Sequence, residues 1–282
     1  MKLDYKDLGL ESKLRLKSGR KKVFYIEDFS DLNSLKDIFK NKKYKIIGGL
    51  SNTVISPFSK YIFLKTLLKG IYLKKGKIFV YAGTKLSEAL NFQIKNKISC
   101  LEFLAGIPQA EIGGLIAQNA SAFGISISDV VDKIFFFDIK KNKIYFENAT
   151  KEFFSYRNSI FKHENLLILG ASFKYNFDFY VKEKIKSYVK KRLEKQPHFV
   201  ENTLGSTFKN PKQYPAGYLL EKAFLKGFRF KNFKFSEKHA NFLINLNPQK
   251  ASFFELLEII YIAKEKVKNL FNISLELEIE IF

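Results

Sequence analysis

The stretch LEFLAGIPQAEIGGLIAQNASAFG, residues 101–124, is apolar, carries few charges and is broken repeatedly by glycine and proline. Gly106, Pro108, Gly113, Gly114 and Gly124 interrupt any helical or strand period. An apolar, glycine-punctuated segment suggests a backbone packed closely against something, because a missing Cβ permits close approach. Two partners fit. One is another element of the fold, in a buried crossover; the other is a flat ligand.

Further glycine turns flank this stretch. KKYKIIGGLSN reads as a short buried strand entering a turn at Gly48 and Gly49, the kind of turn that exposes backbone N–H groups to an anion. GKIFVYAGTKLSEAL reads as a strand, a turn at Gly83 and a helix from near Ser87. DKIFFFDIKKNKIYFEN is a hairpin of two aromatic strands about a Lys-Lys-Asn turn, and NLLILGASFKYNF is a further strand. Residues 178–196 have a helical period and a lysine-coated face, as a connection between two halves of the molecule would. Ser252 and Glu255 form a capping box before a second long helix. The chain ends on LELEIEI, whose alternation predicts an edge strand with Glu276, Glu278 and Glu280 on one solvated face, none distinguished from the others. Strands, glycine turns and helices follow without a regular βαβ rhythm, which favours an α+β fold over a doubly wound sheet. Neither a Rossmann nor a Walker glycine motif occurs.

At 282 residues the chain is long enough for two or three subdomains, and 46% hydrophobic residues with 31 phenylalanines make it globular. The formal charge of +21 invites a nucleic-acid reading. Arginine, however, occurs only at positions 15, 20, 157, 192 and 229, and the other cations are lysines scattered along the whole chain. Diffuse lysine solvates a surface without the bidentate recognition a guanidinium supplies. The charge therefore reads as compositional bias with some steering of an anionic substrate, and no nucleic-acid partner is expected. Cys100 is the single cysteine, which excludes a disulfide framework and a thiolate cluster, and His163, His198 and His239 are too far apart for a local metal motif. The N-terminus lacks the apolar core of a signal peptide, and no apolar run approaches the roughly 20 residues of a membrane span. A cytoplasmic protein without membrane insertion is expected.

NTLGSTFKNP, residues 202–211, places Ser206 between a glycine and a threonine. It is not a G-x-S-x-G elbow, and the S-x-x-K spelling from Ser206 to Lys209 arises easily in a lysine-rich chain. On its own this is a polar turn ending at Pro211.

Taken in order, GGLSN, AGIP…IGG…QNASAFG, YRNSIFK, GSTFKNP, AGYLLEKAFLKG, KHANFLIN and the terminal LELEIEI resemble the UDP-N-acetylenolpyruvoylglucosamine reductase family. The resemblance runs from about residue 46 to the C-terminus. It implies a vanillyl-alcohol-oxidase/PCMH-type FAD-binding fold of two FAD subdomains, with an α+β substrate-binding domain. The boundaries expected are 1–70 and 71–195 for the FAD subdomains, the second ending in the connecting helix, and 196–274 for the substrate domain. Residues 275–282 would be a C-terminal strand returning to the active site. The hairpin passes almost directly into the helix, like the shorter form of the family that lacks a substrate-capping tyrosine loop.

The chemistry implied is reduction of UDP-N-acetylglucosamine enolpyruvate to UDP-N-acetylmuramate for bacterial peptidoglycan. NADPH reduces FAD, hydride passes to the enolpyruvyl β-carbon, and the enolate at the α-carbon is stabilised and protonated. By match to the family motif, Ser206 is the proton donor, Arg157 holds the carboxylate, and Glu278 assists the enolate. Tyr156, Lys209 and Asn210 would contact substrate. Gly48, Gly49, Ser51, Asn52, Gly83, Gly106, Ile107, Pro108, Gly113, Gly114 and Asn119 would hold FAD; no metal is implied, and a monomer is.

The chain departs from the family on the flavin side. Leu50 and Gln109 stand where glycines are usual, the stretch to Gly113 is one residue longer, and NAGAYG has become NASAFG with Ser121 and Phe123. The N-terminal Thr/Arg…Gly-Gly signature has become LRLKSG. Two alternatives remain: another flavoprotein of the same fold, and a lysine-rich nucleic-acid-binding protein. GSTFKNP and KHANFLIN argue against the first, because they lie in the substrate half rather than the FAD half.

Overall fold

In a computed structural model of the chain, which describes residues 1–163 and 165–282, the protein divides into two compact units. The first comprises residues 1–5, 22–49 and 61–190, and the second residues 6–21, 50–60 and 191–282. The division does not fall between elements. It runs through the helix Val181–Lys195, and two N-terminal segments count with the C-terminal part. The reason is visible in the second unit, where Leu14, Leu16 and Val54 are buried with residues from 204 onward.

The two larger sheets of the first unit, among the described residues, have four and five strands. A four-stranded sheet runs Lys2–Lys6, Lys21–Ile26, Ile62–Thr66, Tyr44–Ile46, and its last three strands pair in parallel. The strand entering the Gly48–Gly49 turn is at the edge and only half-buried, not fully buried as expected. A five-stranded antiparallel sheet runs Lys143–Asn148, Val131–Asp138, Leu166–Lys174, Lys77–Tyr81, Ile71–Lys74. Its middle strand is covered on both faces, which is why it reads as a near-continuous apolar run.

Leu166 and Ile168 enter one core cluster, Leu167 and Leu169 another, and after Gly170 the phase shifts so that Ala171 and Phe173 enter the first. The shift is a bulge: Phe135 and Phe136 pair with Gly170 and Ile168. A Cβ at Gly170 would lie 2.8 Å from Phe79 Cζ and 2.9 Å from the Val80 carbonyl oxygen, so only glycine fits.

The hairpin and the helix Leu86–Asn96 stand where the sequence put them. The stretch 101–124 is mostly irregular, as its glycines imply, but Ile112–Ala117 is helical despite Gly113 and Gly114. Tertiary packing of Ile112, Leu115 and Ile116 into the core overrides the low propensity of the two glycines.

The second unit is built on the helix Phe253–Phe271, capped by Ser252 and Glu255 as expected. Phe253, Leu256, Ile259, Ile260, Ala263 and Val267 form its buried face. They share a core with the helix Ala216–Lys222 and with the antiparallel strands Phe233–Phe235 and Leu243–Asn245. The terminal LELEIEI is not one regular strand. Leu277 makes an isolated bridge to Phe208, and further along Glu280–Ile281 pairs in parallel with Thr53–Val54 in a two-stranded sheet. Both partners are distant in sequence, which simple alternation cannot reveal.

Candidate active site

In the first unit the glycine turns converge. Ile47 N–H is bonded to the Leu64 carbonyl, which brings Gly48 and Gly49 against the 109–114 segment. A Cβ built on Gly49 would lie 1.9 Å from the Gln109 carbonyl oxygen, and one on Gly48 3.4 Å from Gly114 Cα. A Cβ on Gly83 would lie 2.9 Å from the Thr66 and Leu68 carbonyl oxygens, and one on Gly113 2.9 Å from Ala82 Cβ. Gly113 N–H is taken by the Ala82 carbonyl, but the N–H groups of Gly48, Gly49 and Gly114 receive no acceptor from the described residues. Three free backbone donors on side-chain-free loops are a cradle suited to a diphosphate. The residues present therefore fit the phosphate-binding part of a dinucleotide cofactor.

Gly106 has φ 87°, and Gly106, Ile107 and Pro108 are half-buried in the turn before Gln109. Leu50 and Gln109, which stand where the family has glycine, keep left-handed conformations at φ 55° and 57°. A non-glycine residue in that region costs about 1 kcal/mol per site. Glu111 adds a carboxylate here, held 2.8 Å from Lys65 Nζ. Burial keeps its carboxyl above the ordinary glutamate range, and Lys65, Lys69 and Lys85 oppose that shift without cancelling it.

Tyr156 and Arg157 form the tip of a hairpin between Phe154–Ser155 and Asn158–Ser159. Arg157 occupies the left-handed region at φ 55°, donates from Nη1 to the Ser121 carbonyl at 3.2 Å, and lies 5.8 Å from the exposed Tyr156 ring. Asn119 supports the hairpin: its Nδ2 donates to the Ser155 carbonyl at 3.0 Å and its Oδ1 accepts from Ser128 N–H. Ser159 Oγ donates to the Ala117 carbonyl at 2.7 Å. Asn119, expected as a flavin contact, is thus buried with its side chain occupied in holding the YRNS tip.

In the second unit GSTFKNP is not a free polar turn. Ser206 bridges Phe242, Thr207 N–H donates to the Asn241 carbonyl at 2.7 Å, and the Thr207 carbonyl accepts from Glu278 N–H at 2.9 Å. Lys209 N–H donates to the Glu276 carbonyl at 2.9 Å. The segment makes isolated bridges at Ser206 to the KHANFLIN turn and at Phe208 to the C-terminal residues. Ser206 is half-buried, and its hydroxyl has no hydrogen-bond partner among the described residues, so its proton is uncommitted within the fold. Asn52 Nδ2 donates to the Glu278 carbonyl at 3.0 Å, and Asn52 O accepts from Glu280 N–H, with half-buried Ser51 beside it. Asn52, expected at the flavin, is also tied to the strand that carries Glu278.

The three terminal glutamates are not equivalent. The Glu276 side chain is 76% exposed and meets Lys209 Nζ at 3.3 Å, whereas Glu278 is half-buried with both backbone groups held. Asn210 Oδ1 accepts from Ala216 N–H at 3.0 Å and fixes the entry to the helix that follows. Sequence reasoning passed over Asn241; its signal was present, as the asparagine of KHANFLIN, but no spacing connects it to Ser206. Among the described residues no group of three His, Cys, Asp or Glu could hold a metal ion, and no helix is long and apolar enough to cross a membrane.

The family model for the UDP-N-acetylenolpyruvoylglucosamine reductase C-terminal domain matches residues 181–282. Over 98% of its length the chain is 38% identical to the UDP-N-acetylenolpyruvoylglucosamine reductase of Aquifex aeolicus, of which it spans 94%. It is 31% identical to that of Thermotoga maritima over 99% of this chain and 98% of the relative. The crystal structure of the UDP-N-acetylenolpyruvylglucosamine reductase from Thermus caldophilus matches with a TM-score of 0.83, covering 100% of this chain and 99% of that one at 23% identity. The fold is thus the PCMH-type FAD-binding fold of a flavoprotein oxidoreductase. The chain belongs to the UDP-N-acetylenolpyruvoylglucosamine reductase family, whose enzymes contain FAD and use NADPH.

Proposed function

We propose that this protein reduces UDP-N-acetylglucosamine enolpyruvate to UDP-N-acetylmuramate in peptidoglycan synthesis, as a cytoplasmic monomer. The observation that carries the reading is the assembly around Ser206 of stretches far apart in sequence, GSTFKNP, KHANFLIN and the C-terminal residues. Residues 1–70 and 71–195 are taken as the two flavin-holding subdomains, 196–274 as the substrate-binding domain and 275–282 as the returning C-terminal strand.

The free N–H groups of Gly48, Gly49 and Gly114 hold the FAD diphosphate, with Gly83, Gly106, Ile107, Pro108 and Gly113 shaping the loops around it. The chemistry that bound FAD supplies is relay of hydride from NADPH to the enolpyruvyl β-carbon. The chain's own residues manage the charge and the proton. Arg157, fixed at a strained hairpin tip, offers a guanidinium to the carboxylate, where negative charge grows as the enolate forms. Ser206 donates its uncommitted proton to the α-carbon, and half-buried Glu278 assists the enolate. Tyr156, Lys209 and Asn210 contact the sugar nucleotide. Ser51 and Asn52 hold the flavin-side turn, and Asn119 acts through the hairpin it braces.

The test is anaerobic. NADPH should bleach the yellow protein, and UDP-N-acetylglucosamine enolpyruvate should restore its colour. Bleaching that this substrate never reverses would overturn the substrate assignment.

A further inference from the structure

We propose that Asn241 is a positioning residue for the proton-donating hydroxyl of Ser206, an inference that rests on the reading of Ser206 given above. Asn241 is only 2% exposed. Its side-chain amide spans both backbone groups of Phe208: Phe208 N–H donates to Oδ1 at 2.9 Å, and Nδ2 donates to the Phe208 carbonyl at 2.8 Å. One side chain thus does for Phe208 what a neighbouring peptide would do in a sheet.

The Asn241 carbonyl adds a third bond, accepting Thr207 N–H at 2.7 Å, immediately after Ser206. Glu278 N–H donates to the Thr207 carbonyl, and Leu277 bridges Phe208. With both backbone groups of Thr207 and of Phe208 bonded, the two residues that follow Ser206 are restrained.

The position requires a group that both donates and accepts. An amide has this; a carboxylate lacks the donor, and an aliphatic side chain lacks both. Asn241 is itself pinned by its neighbour two residues earlier, because its N–H donates to His239 Nδ1 at 3.2 Å and Phe242 N–H donates to the His239 carbonyl. At the other end of the segment Lys209 N–H donates to the Glu276 carbonyl, and the Lys209 side chain meets Glu276 near solvent.

The experiment is a double-mutant cycle on the holoenzyme, with the two half-reactions followed separately by stopped flow. Asn241→Asp should leave flavin reduction by NADPH unchanged and slow reoxidation by the enolpyruvyl substrate about 10- to 100-fold, as misplacement of a reacting group does. In a Ser206→Ala background the same substitution should slow reoxidation less than about 2-fold, because a residue that acts through the serine has nothing left to position. Equal slowing in both backgrounds, or none in the native one, overturns the proposal and leaves Asn241 a structural asparagine. A Ser206→Ala protein that reoxidises at the native rate sinks the reading of Ser206 itself, and the inference with it. Flavin absorbance and thermal melting verify folding. If Asn241→Asp does not fold, Asn241→Ser goes through the same two backgrounds, with hydrogen exchange at Phe208 N–H expected to rise in parallel with the loss of rate.

Discussion

Lys65 Nζ lies 2.8 Å from a carboxylate oxygen of Glu111, and the same carboxylate would stand 3.8 Å from a Cβ on Gly48. A negative group beside free N–H donors competes with an anionic ligand for them, and Lys65 offsets part of that cost. Glu111→Gln should therefore raise the affinity of the apoprotein for FAD several-fold, read from quenching of flavin fluorescence on titration. Weaker binding would show instead that Glu111 serves the cradle by holding Lys65.

The same pair sets a pH dependence. Burial keeps the Glu111 carboxyl above its ordinary value, so between that value and the raised one the folded chain binds more protons than the unfolded chain. Its contribution is complete at low pH and falls as pH rises through that window. The stability of Glu111→Gln relative to the native protein should improve from pH 4 to pH 7 in denaturant titrations; parallel curves would exclude the effect.

Three substitutions separate shape from burial at the flavin-side turns. Gly49→Ala puts a methyl group on the Gln109 carbonyl and should abolish flavin retention. Gln109→Gly relieves an exposed left-handed residue and should stabilise by up to about 1 kcal/mol. Leu50→Gly relieves the same strain but removes a buried side chain worth about 1.5–3 kcal/mol, so it should be net destabilising. Thermal melts of the three proteins give the order.

Ser206→Ala should slow flavin reoxidation by about 10²–10⁴-fold and spare reduction by NADPH. Ser206→Cys, which still carries a proton, should keep more activity. Glu278→Gln should affect the same step, whereas Glu276→Gln, which breaks only a solvent-exposed pair with Lys209, should change neither half-reaction. Equal effects of the two glutamate variants would remove the distinction between them.

Burial lowers the His239 imidazole below its ordinary value, with its ring against Gly217 and Phe242; nearby Glu221 raises it and Lys226 lowers it. The folded state favours the neutral ring, so this contribution is complete above the ordinary histidine value and is lost as pH falls towards the depressed one. Protonation would also remove the acceptor for Asn241 N–H. The native protein should lose stability relative to His239→Gln between about pH 6.5 and pH 5. An unchanged difference across that range would show that the ring does not titrate there.

The amino-acid sequence by itself determined what is local. The hairpin 131–148, the helix 86–96 and the capped helix 253–271 are each carried by a side-chain period, a turn or a cap within a few residues, and each forms where those signals lie. The ordered motifs likewise identified the family, because matching residue types at several stations along one chain survives without coordinates. Only the tertiary structure decided matters that join distant segments. It separated Glu278 from Glu276, since alternation makes them equivalent and their surroundings do not: Glu276 is exposed beside Lys209 and Glu278 is half-buried. It bound GSTFKNP through bridges at Ser206 and Phe208 and brought Asn241 to Phe208 across 33 residues. It placed Leu14, Leu16 and Val54 in the second unit's core, because burial depends on which surfaces meet, and no spacing in the chain records that.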